Sequence, residues 1–377
     1  MEQSRNSTSI WEQSELLHSD CLIVGAGITG LSTAAALLEA HPRMRVRVLE
    51  RGLLPRGAST RNAGFACLGS LSELAADLRA YGPEALRAAL RLKYEGLQGL
   101  RQRLGDAAIG YVHGCGYELL LPQHLPDLEY VDTLNVLSEA AIGLSLLKLD
   151  RKEAFGFKNI AKIVSLPQEG ALHTGKLISA LMRYVRERGG EILTGCHVQG
   201  WEAYPGGIRL LTAESVDFFA PKVAFCTNAF TPELLPDVPL LPGRGQVLLT
   251  EAISGLPFRG TFHLDRGYFY FRDFEGGVLL GGGRHLDKKT ETTTDFTTTA
   301  AIQSRLESLL REVILPDRPL PKIRSRWAGI MAFRTDHQLL PIVEHHREGV
   351  YVAAGLNGMG VAAGTAVGQQ LAVLMMV

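Results

Sequence analysis

CLIVGAGITGLSTAAALLEAHPRMRVRVLE, residues 21–50, compresses a strand, a tight turn, a helix and a second strand into about thirty residues, the size of a βαβ unit. The apolar run Cys21 to Val24 leads into Gly25-Ala26-Gly27-Ile28-Thr29-Gly30. Each glycine has its own task. Gly25 permits the tight turn, Gly27 lets main chain approach a pyrophosphate, and Gly30 lets the helix pack close to the strand. The helix that follows opens with free N–H groups and the positive end of its dipole. Glu50 lies about twenty residues beyond Gly30, where an acid accepts from the ribose hydroxyls of an adenine dinucleotide. A dinucleotide site is the expectation. Glu50 disfavours an extra ribose phosphate, and the adjacent Arg51 softens that argument.

The remainder of the chain bounds the answer. At 377 residues it has room for two domains, and 46% of it is apolar, enough for real cores. Lysines plus arginines number 39 and acids also 39, so no charge excess points to nucleic acid or an anionic membrane. Five cysteines, at 21, 67, 115, 196 and 226, form no CxxC and no cluster with histidine, so reduced thiols in a cytoplasmic protein without a metal are expected. The N-terminus lacks an apolar signal region, and no apolar run is long enough to span a bilayer.

Working outward, residues 1–18 read as a leader. After Glu50, RGLLPRGASTRNAGFACLGS is too rich in Gly, Ser and Asn to be helix or strand throughout. From Leu71 to Leu104 apolar residues recur at three and four, predicting a pair of amphipathic helices. Tyr111 to Leu121 reads as a strand with a glycine break, followed by a turn and a helix. A second amphipathic helix is predicted over Gly175 to Arg188, closed by Gly189-Gly190. A strand pair turns at Pro205-Gly206-Gly207, and Lys222 to Cys226 is a further strand. Pro232 to Pro242 reads as a crossover, and Gly243 opens a β-rich region in which GYFYFRDFEGGVLLGGG forms a hairpin. TETTTDFTTT, residues 290–299, reads as a surface loop. The chain ends in strand, glycine loop and helix.

With these segments in order, the chain resembles the FAD-dependent amine and amino-acid oxidoreductases, the superfamily of D-amino-acid oxidase, glycine oxidase, sarcosine oxidase and gamma-glutamylputrescine oxidase. The pieces that carry the resemblance are VGAGITGLSTAAAL, RGASTRNAGF, SLPQEGALHTGKL, VAFCTNAF, GRGQV, YFYFR…LLGGG, RWAGIM and YVAAGLNGMGVAAGTAVGQQLA. It looks most like bacterial members of that superfamily rather than any one named enzyme. The resemblance implies an α/β fold: a Rossmann-like FAD-binding domain (19–85, 150–230 and 327–377) with an inserted antiparallel β-rich substrate domain (86–149 and 231–326).

It also implies roles for residues. Ala58, Ser59, Arg61, Asn62, Ala63 and Gly64 would lie along the pyrophosphate and flavin; Val198 would hold adenine through its main chain; Thr227 and Asn228 would border the dinucleotide. Gly329 of the Trp-Ala-Gly motif would border the flavin. Gly355, Asn357, Gly358, Met359 and Gly360 would open the last helix towards the flavin pyrimidine, where N–H groups and the helix dipole stabilise incoming negative charge. The expected chemistry is hydride transfer from the carbon beside nitrogen to non-covalent FAD, giving an imine, with reoxidation by oxygen or another acceptor. His263, Tyr268, Tyr270 and Arg272 are candidates for the roof over the substrate. Where amino-acid oxidases follow Trp-Ala-Gly with a carboxylate-clamping arginine, this chain has Met331, which shifts weight towards other amines; Arg334 and Arg272 are the nearest replacements. A flavin dehydrogenase of hydroxy acids or polyols, or a flavin-containing RNA-modifying protein, are the alternatives.

Overall fold

The computed structural model describes residues 9–114, 116–149 and 155–377. Residues 1–8 of the expected leader, Cys115 and the boundary expected at 150 lie outside the described residues.

Two large sheets, with two smaller three-stranded ones, carry the architecture among the described residues. The first has six strands in the order Ile342–Arg347, Val350–Ala354, Lys222–Phe225, Cys21–Val24, Val46–Glu50 and Glu191–Thr194. All neighbours are parallel except the first pair. Cys21–Val24 and Val350–Ala354 are buried on both faces, which is why they read as unbroken apolar runs; Val46–Glu50 is buried as well, although Arg47 gives it the look of an alternation. The helices Ile28–Ala40 and Thr174–Glu187 and the C-terminal helix Gly360–Met376 contribute to the core on one face. The predicted βαβ unit is present, with Glu50 ending its second strand.

The second sheet has seven strands: Ile323–Arg334, Leu240–Thr250, Gly277–Gly282, Phe269–Phe274, Thr261–Leu264, Gly116–Leu120 and Lys162–Leu166. The pairing is antiparallel except between Thr261–Leu264 and Gly116–Leu120. Strand alternation divides the aromatic hairpin. Phe269 and Phe271 enter a core with Phe262 and helix Ala300–Leu309, where the Phe262 and Phe271 rings stack 4.8 Å apart, while Tyr270 takes the opposite face.

Three expectations are modified. Strands Lys162–Leu166 and Ile323–Arg334 pair into the seven-stranded sheet, so sheet membership does not follow the expected breaks at 150 and 327. The Pro232 to Pro242 crossover is shorter than read, because strand pairing already begins at Leu240. The 290–299 tract is not a free surface loop, since Glu291 within it is buried and receives a bidentate fork from Arg244 at 2.8 and 2.9 Å. The long helix Leu71–Leu104 carries the expected helical pair, divided at Gly82-Pro83, where Gly82 takes φ 79°. Ser70 and Glu73 close its N-terminus as a reciprocal capping box.

Candidate active site

Between the sheets lies a cavity of about 980 Å³, at the upper end for small-molecule and cofactor sites. One end is built by the glycine turn. A Cβ on Gly30 would stand 2.0 Å from the Gly25 carbonyl oxygen, so the helix approaches its strand only because no side chain intervenes. Gly25, Gly27, Ile28 and Thr29 line the cavity; Ala26 and Gly30 sit behind the lining and shape it. The Ile28 N–H donates to Ser59 Oγ at 3.0 Å, so a hydroxyl stands at the open end of the helix. Glu50 is buried beside it; its carboxylate accepts from the Ala26 and Gly52 N–H groups, both at 3.0 Å. Arg51 lies over the Phe230 ring at 3.8 Å and pairs with Glu233 at 3.7 Å.

The Ala58–Arg61 turn brings Ala58, Ser59, Arg61, Asn62 and Ala63 to the wall, with Gly64 behind. Arg61 and Asn62 both line the cavity and also brace its wall. Asn62 donates to the Ala58 and Ser59 carbonyls and accepts from the Gly64 N–H, so its amide braces its own loop. Arg61 donates to the Ala328 carbonyl at 2.8 Å and lies over Phe296 at 4.6 Å, while Trp327 Nε1 donates to the Arg61 carbonyl. Gly329 is needed there, because its Cβ would meet Arg61 Cβ at 2.9 Å. Val198, Thr227 and Asn228 line the same end, and Asn228 Oδ1 accepts from the Gly355 N–H at 3.1 Å. The final helix starts at Gly360 with no side-chain cap, and Gly355, Asn357, Gly358, Met359 and Gly360 all face the cavity.

The roof comes from the second sheet. Tyr270 and Met331 line it, with the Tyr270 ring edge-on to Phe65. Burial pushes the Tyr270 phenol up to about 12. Tyr268 also lines the cavity but is half exposed, stacked on His285 at 4.1 Å. Arg272 does not belong to the lining. Its guanidinium donates to the carbonyls of Ala63, Gly64 and Leu172, clamping the cofactor-side loop to the roof strand. Arg334 is likewise engaged, by Asp336 and the Leu340 carbonyl. Neither of the two replacements read from sequence leaves a free fork.

A buried charged cage lies under the roof. His263 Nε2 meets Glu169 Oε2 at 3.0 Å and Nδ1 faces Glu73 at 3.7 Å. Burial alone would lower the imidazole, but Glu169, Glu73 and Glu118 prevail and raise it to about 9. His263 is therefore a cation at neutral pH. Glu169 Oε1 accepts from the Leu68 and Gly69 N–H groups, and Lys93 Nζ donates to the Leu68 carbonyl at 2.8 Å. Glu118 accepts from the Ser72 N–H, yet burial still raises it to about 7. Potential ligand atoms of Cys67, Glu169 and His263 lie within 4.8 Å of one another. The Glu169 carboxylate accepts two main-chain N–H bonds and meets His263, and burial beside Glu169 and Glu73 raises the Cys67 thiol, so the three side chains form a hydrogen-bonded cage.

A family model described as DAO, FAD dependent oxidoreductase, matches residues 20–374. The chain belongs to this family. Among curated proteins it is 26% identical over 249 residues to L-2-hydroxyglutarate dehydrogenase of Escherichia coli K12, covering 64% of this chain and 53% of that one. It is 28% identical over 353 residues to the bifunctional protein ThiO/ThiG of Synechocystis, covering 89% and 50%. The chain thus spans about half the length of the curated relatives it matches. Glycine oxidase from Geobacillus kaustophilus shares the fold with a TM-score of 0.78 at 22% identity, over 96% of this chain and 95% of that one. L-proline dehydrogenase from P. horikoshii does so at 0.77 and 19% identity, over 95% and 93%.

The cavity fits FAD, the cofactor of the family. Its glycine turn, hydroxyl and uncapped helix suit a pyrophosphate, Glu50 keeps lone pairs for ribose, and the open helix at Gly360 suits the flavin end. Among the described residues, no helix is long and apolar enough to cross a membrane. Sequence reasoning missed Glu73, Asp77, Lys93, Glu169, Arg284 and Phe296, of which all but Glu169 line the cavity. Helical periodicity masked the first three, and Phe296 lay inside a threonine tract. Arg284 directly follows three glycines, a signal that could have been read.

Proposed function

We propose that this chain oxidises the C–N bond of a small amine or amino acid to an imine, which water hydrolyses to a carbonyl compound and ammonia or a smaller amine. FAD, when bound, would supply the electron sink for a hydride from the carbon beside nitrogen, with oxygen or another molecule as final acceptor. The chain's own residues bind, orient and desolvate. In this reading the six-stranded sheet carries the cofactor domain and the seven-stranded sheet the substrate domain, with the fingerprint and the 58–64, 198, 227–228, 329 and 355–360 positions holding FAD. The cofactor is dissociable, since the late segment 330–342 has no cysteine and the Cys67 thiol is held protonated.

The supporting observation is the protonation of the roof. Tyr270, at about 12, and His263, at about 9, both contact Phe65 and are both protonated at neutral pH. Neither is a general base there. An amine that arrives deprotonated needs none, because its nitrogen lone pair drives hydride departure; an alcohol must surrender its hydroxyl proton as well, which would fall to the Glu73 or Asp77 carboxylate on the cavity wall. The likeness to L-2-hydroxyglutarate dehydrogenases favours a second reading, oxidation of a hydroxy acid. Product analysis with FAD-loaded protein separates the two. Stoichiometric ammonia, or a smaller amine, alongside a carbonyl product supports C–N oxidation; a keto acid formed from a hydroxy acid with no nitrogen released overturns it.

A further inference from the structure

The roof strand Leu240–Thr250 presents two glycines on one face, Gly243 and Gly245, about 7 Å apart. Four side chains stand over them. A Cβ on Gly243 would meet Phe333 Cε2 at 2.4 Å and Arg284 Cδ at 3.4 Å; one on Gly245 would meet Met331 Cε at 3.1 Å and lie 3.8 Å from the Tyr270 hydroxyl. The glycine floor therefore exists to seat these groups. Gly281 continues the device, for a Cβ there would strike the Tyr270 ring at 2.6 Å. Gly283, at φ 82°, then turns the chain so that Arg284 enters the cavity.

Among the described arginines of the cavity, Arg284 is the half-buried one without an acceptor. Its guanidinium lies 4.2 Å from the Phe333 ring centroid, half-buried, and among the described residues it has no hydrogen bond or ion pair. Its neighbour Glu291 is already occupied by the Arg244 fork and by Gln246. Desolvation lowers its proton affinity from the ordinary arginine value without removing its charge. The other cavity arginines differ. Arg51, Arg61 and Arg334 have partners, while Arg56 and Arg266 are exposed to water. A half-buried, unpaired cation with a ring fixing its plane is an anion site awaiting its anion.

We propose that Arg284 clamps a carboxylate of the substrate, so that the substrate is an amino acid rather than a simple amine. The clamp enters from the strand edge after Gly283, while the position following Trp327-Ala328-Gly329-Ile330 carries Met331, whose Sδ lies 3.5 Å from where a Cβ on Gly358 would be. A carboxylate held by Arg284 lies beside the Tyr270–Met331 pair, one step along the floor strand nearer the cofactor loop. This assignment rests on the C–N oxidation reading for its reaction and on geometry alone for its anion.

The test titrates FAD-loaded protein with acetate, inorganic phosphate and methylammonium while recording the flavin difference spectrum, in the wild type, Arg284→Met and Arg284→Lys. Acetate should perturb the spectrum saturably. Its Kd should rise at least about tenfold in Arg284→Met, the loss of a charge-assisted fork, with Arg284→Lys intermediate because charge remains without the fork. Flavin retention by each variant shows that the fold is kept. In turnover, glycine and alanine should outperform methylamine and ethylamine in the wild type, and Arg284→Met should narrow that preference at least about tenfold. Acetate binding indifferent to both substitutions, saturable binding of phosphate alone, or no preference for the carboxylate members of the pairs would overturn the clamp. Failure of every amine and amino acid to reduce the flavin, with Arg284-dependent acetate binding intact, would instead overturn the C–N reading and leave the anion site standing.

Discussion

Arg272 and Arg284 flank one hairpin and meet opposite ends. Arg272 points at three main-chain carbonyls that converge from distant parts of the chain, Ala63, Gly64 and Leu172, and becomes a structural pin. Arg284 meets a ring and an open cavity. Sequence could rank arginines by nearness to motifs, but an arginine's use depends on which acceptors tertiary folding brings to it. Asn62 follows the same rule, since its amide braces its own loop at the cavity wall. The glycine fingerprint was legible because its demands are local. Gly30→Ala would drive a methyl to 2.0 Å from the Gly25 carbonyl. We expect about 1–3 kcal/mol of destabilisation and strongly weakened FAD binding, measured by urea unfolding and flavin titration; unaltered affinity for FAD would contradict the role given to that turn.

Elements with regular periodicity were read well. The βαβ unit, the helix Thr174–Glu187 and the aromatic hairpin all stand where alternation and spacing put them. Alternation could not say that one face of the hairpin fills a core while the other roofs a cavity, because both faces carry aromatics. The 290–299 tract was misread for a different reason. Its composition is that of a solvated loop, yet Glu291 anchors it on Arg244 and Gln246 and Phe296 reaches the cavity wall. Glu291→Ala would take from the buried Arg244 cation its bidentate partner, leaving only the more distant Asp295 at 3.8 Å. A loss of about 3–5 kcal/mol in unfolding free energy is expected, and a loss below about 1 kcal/mol, the range of exposed pairs, would show that the tract is not anchored as described.

At the scale of the whole molecule, both ends of the chain build one sheet, and a second sheet closes over it. This general plan was legible from the two glycine motifs at opposite ends of the sequence; the assignment of strands 162–166 and 323–334 was not, since pairing partners leave no local trace. The charged cage ties the long helix to the roof and makes stability depend on pH. His263 titrates at about 9 in the folded chain against an ordinary 6.5, so its contribution is complete below about 6.5 and is lost as pH rises through 9. Glu118, raised to about 7 from 4.5, acts in the same direction at lower pH, favouring the folded state most below 4.5 and losing that contribution through 7. The urea midpoint is expected to fall between pH 6.5 and 9.5, and His263→Gln to flatten the upper part of that decline. A midpoint that holds level or rises across this window would contradict the caged cation.

The central claim is that bound FAD takes electrons from a C–N bond, and anaerobic spectroscopy tests it most directly. FAD-loaded protein under argon is mixed with amino acids, simple amines and hydroxy acids in turn, and the visible flavin band is followed before air is admitted. Loss of the band with an amino acid or amine, and none with a hydroxy acid, is the expected result. Loss only with a hydroxy acid would contradict the account.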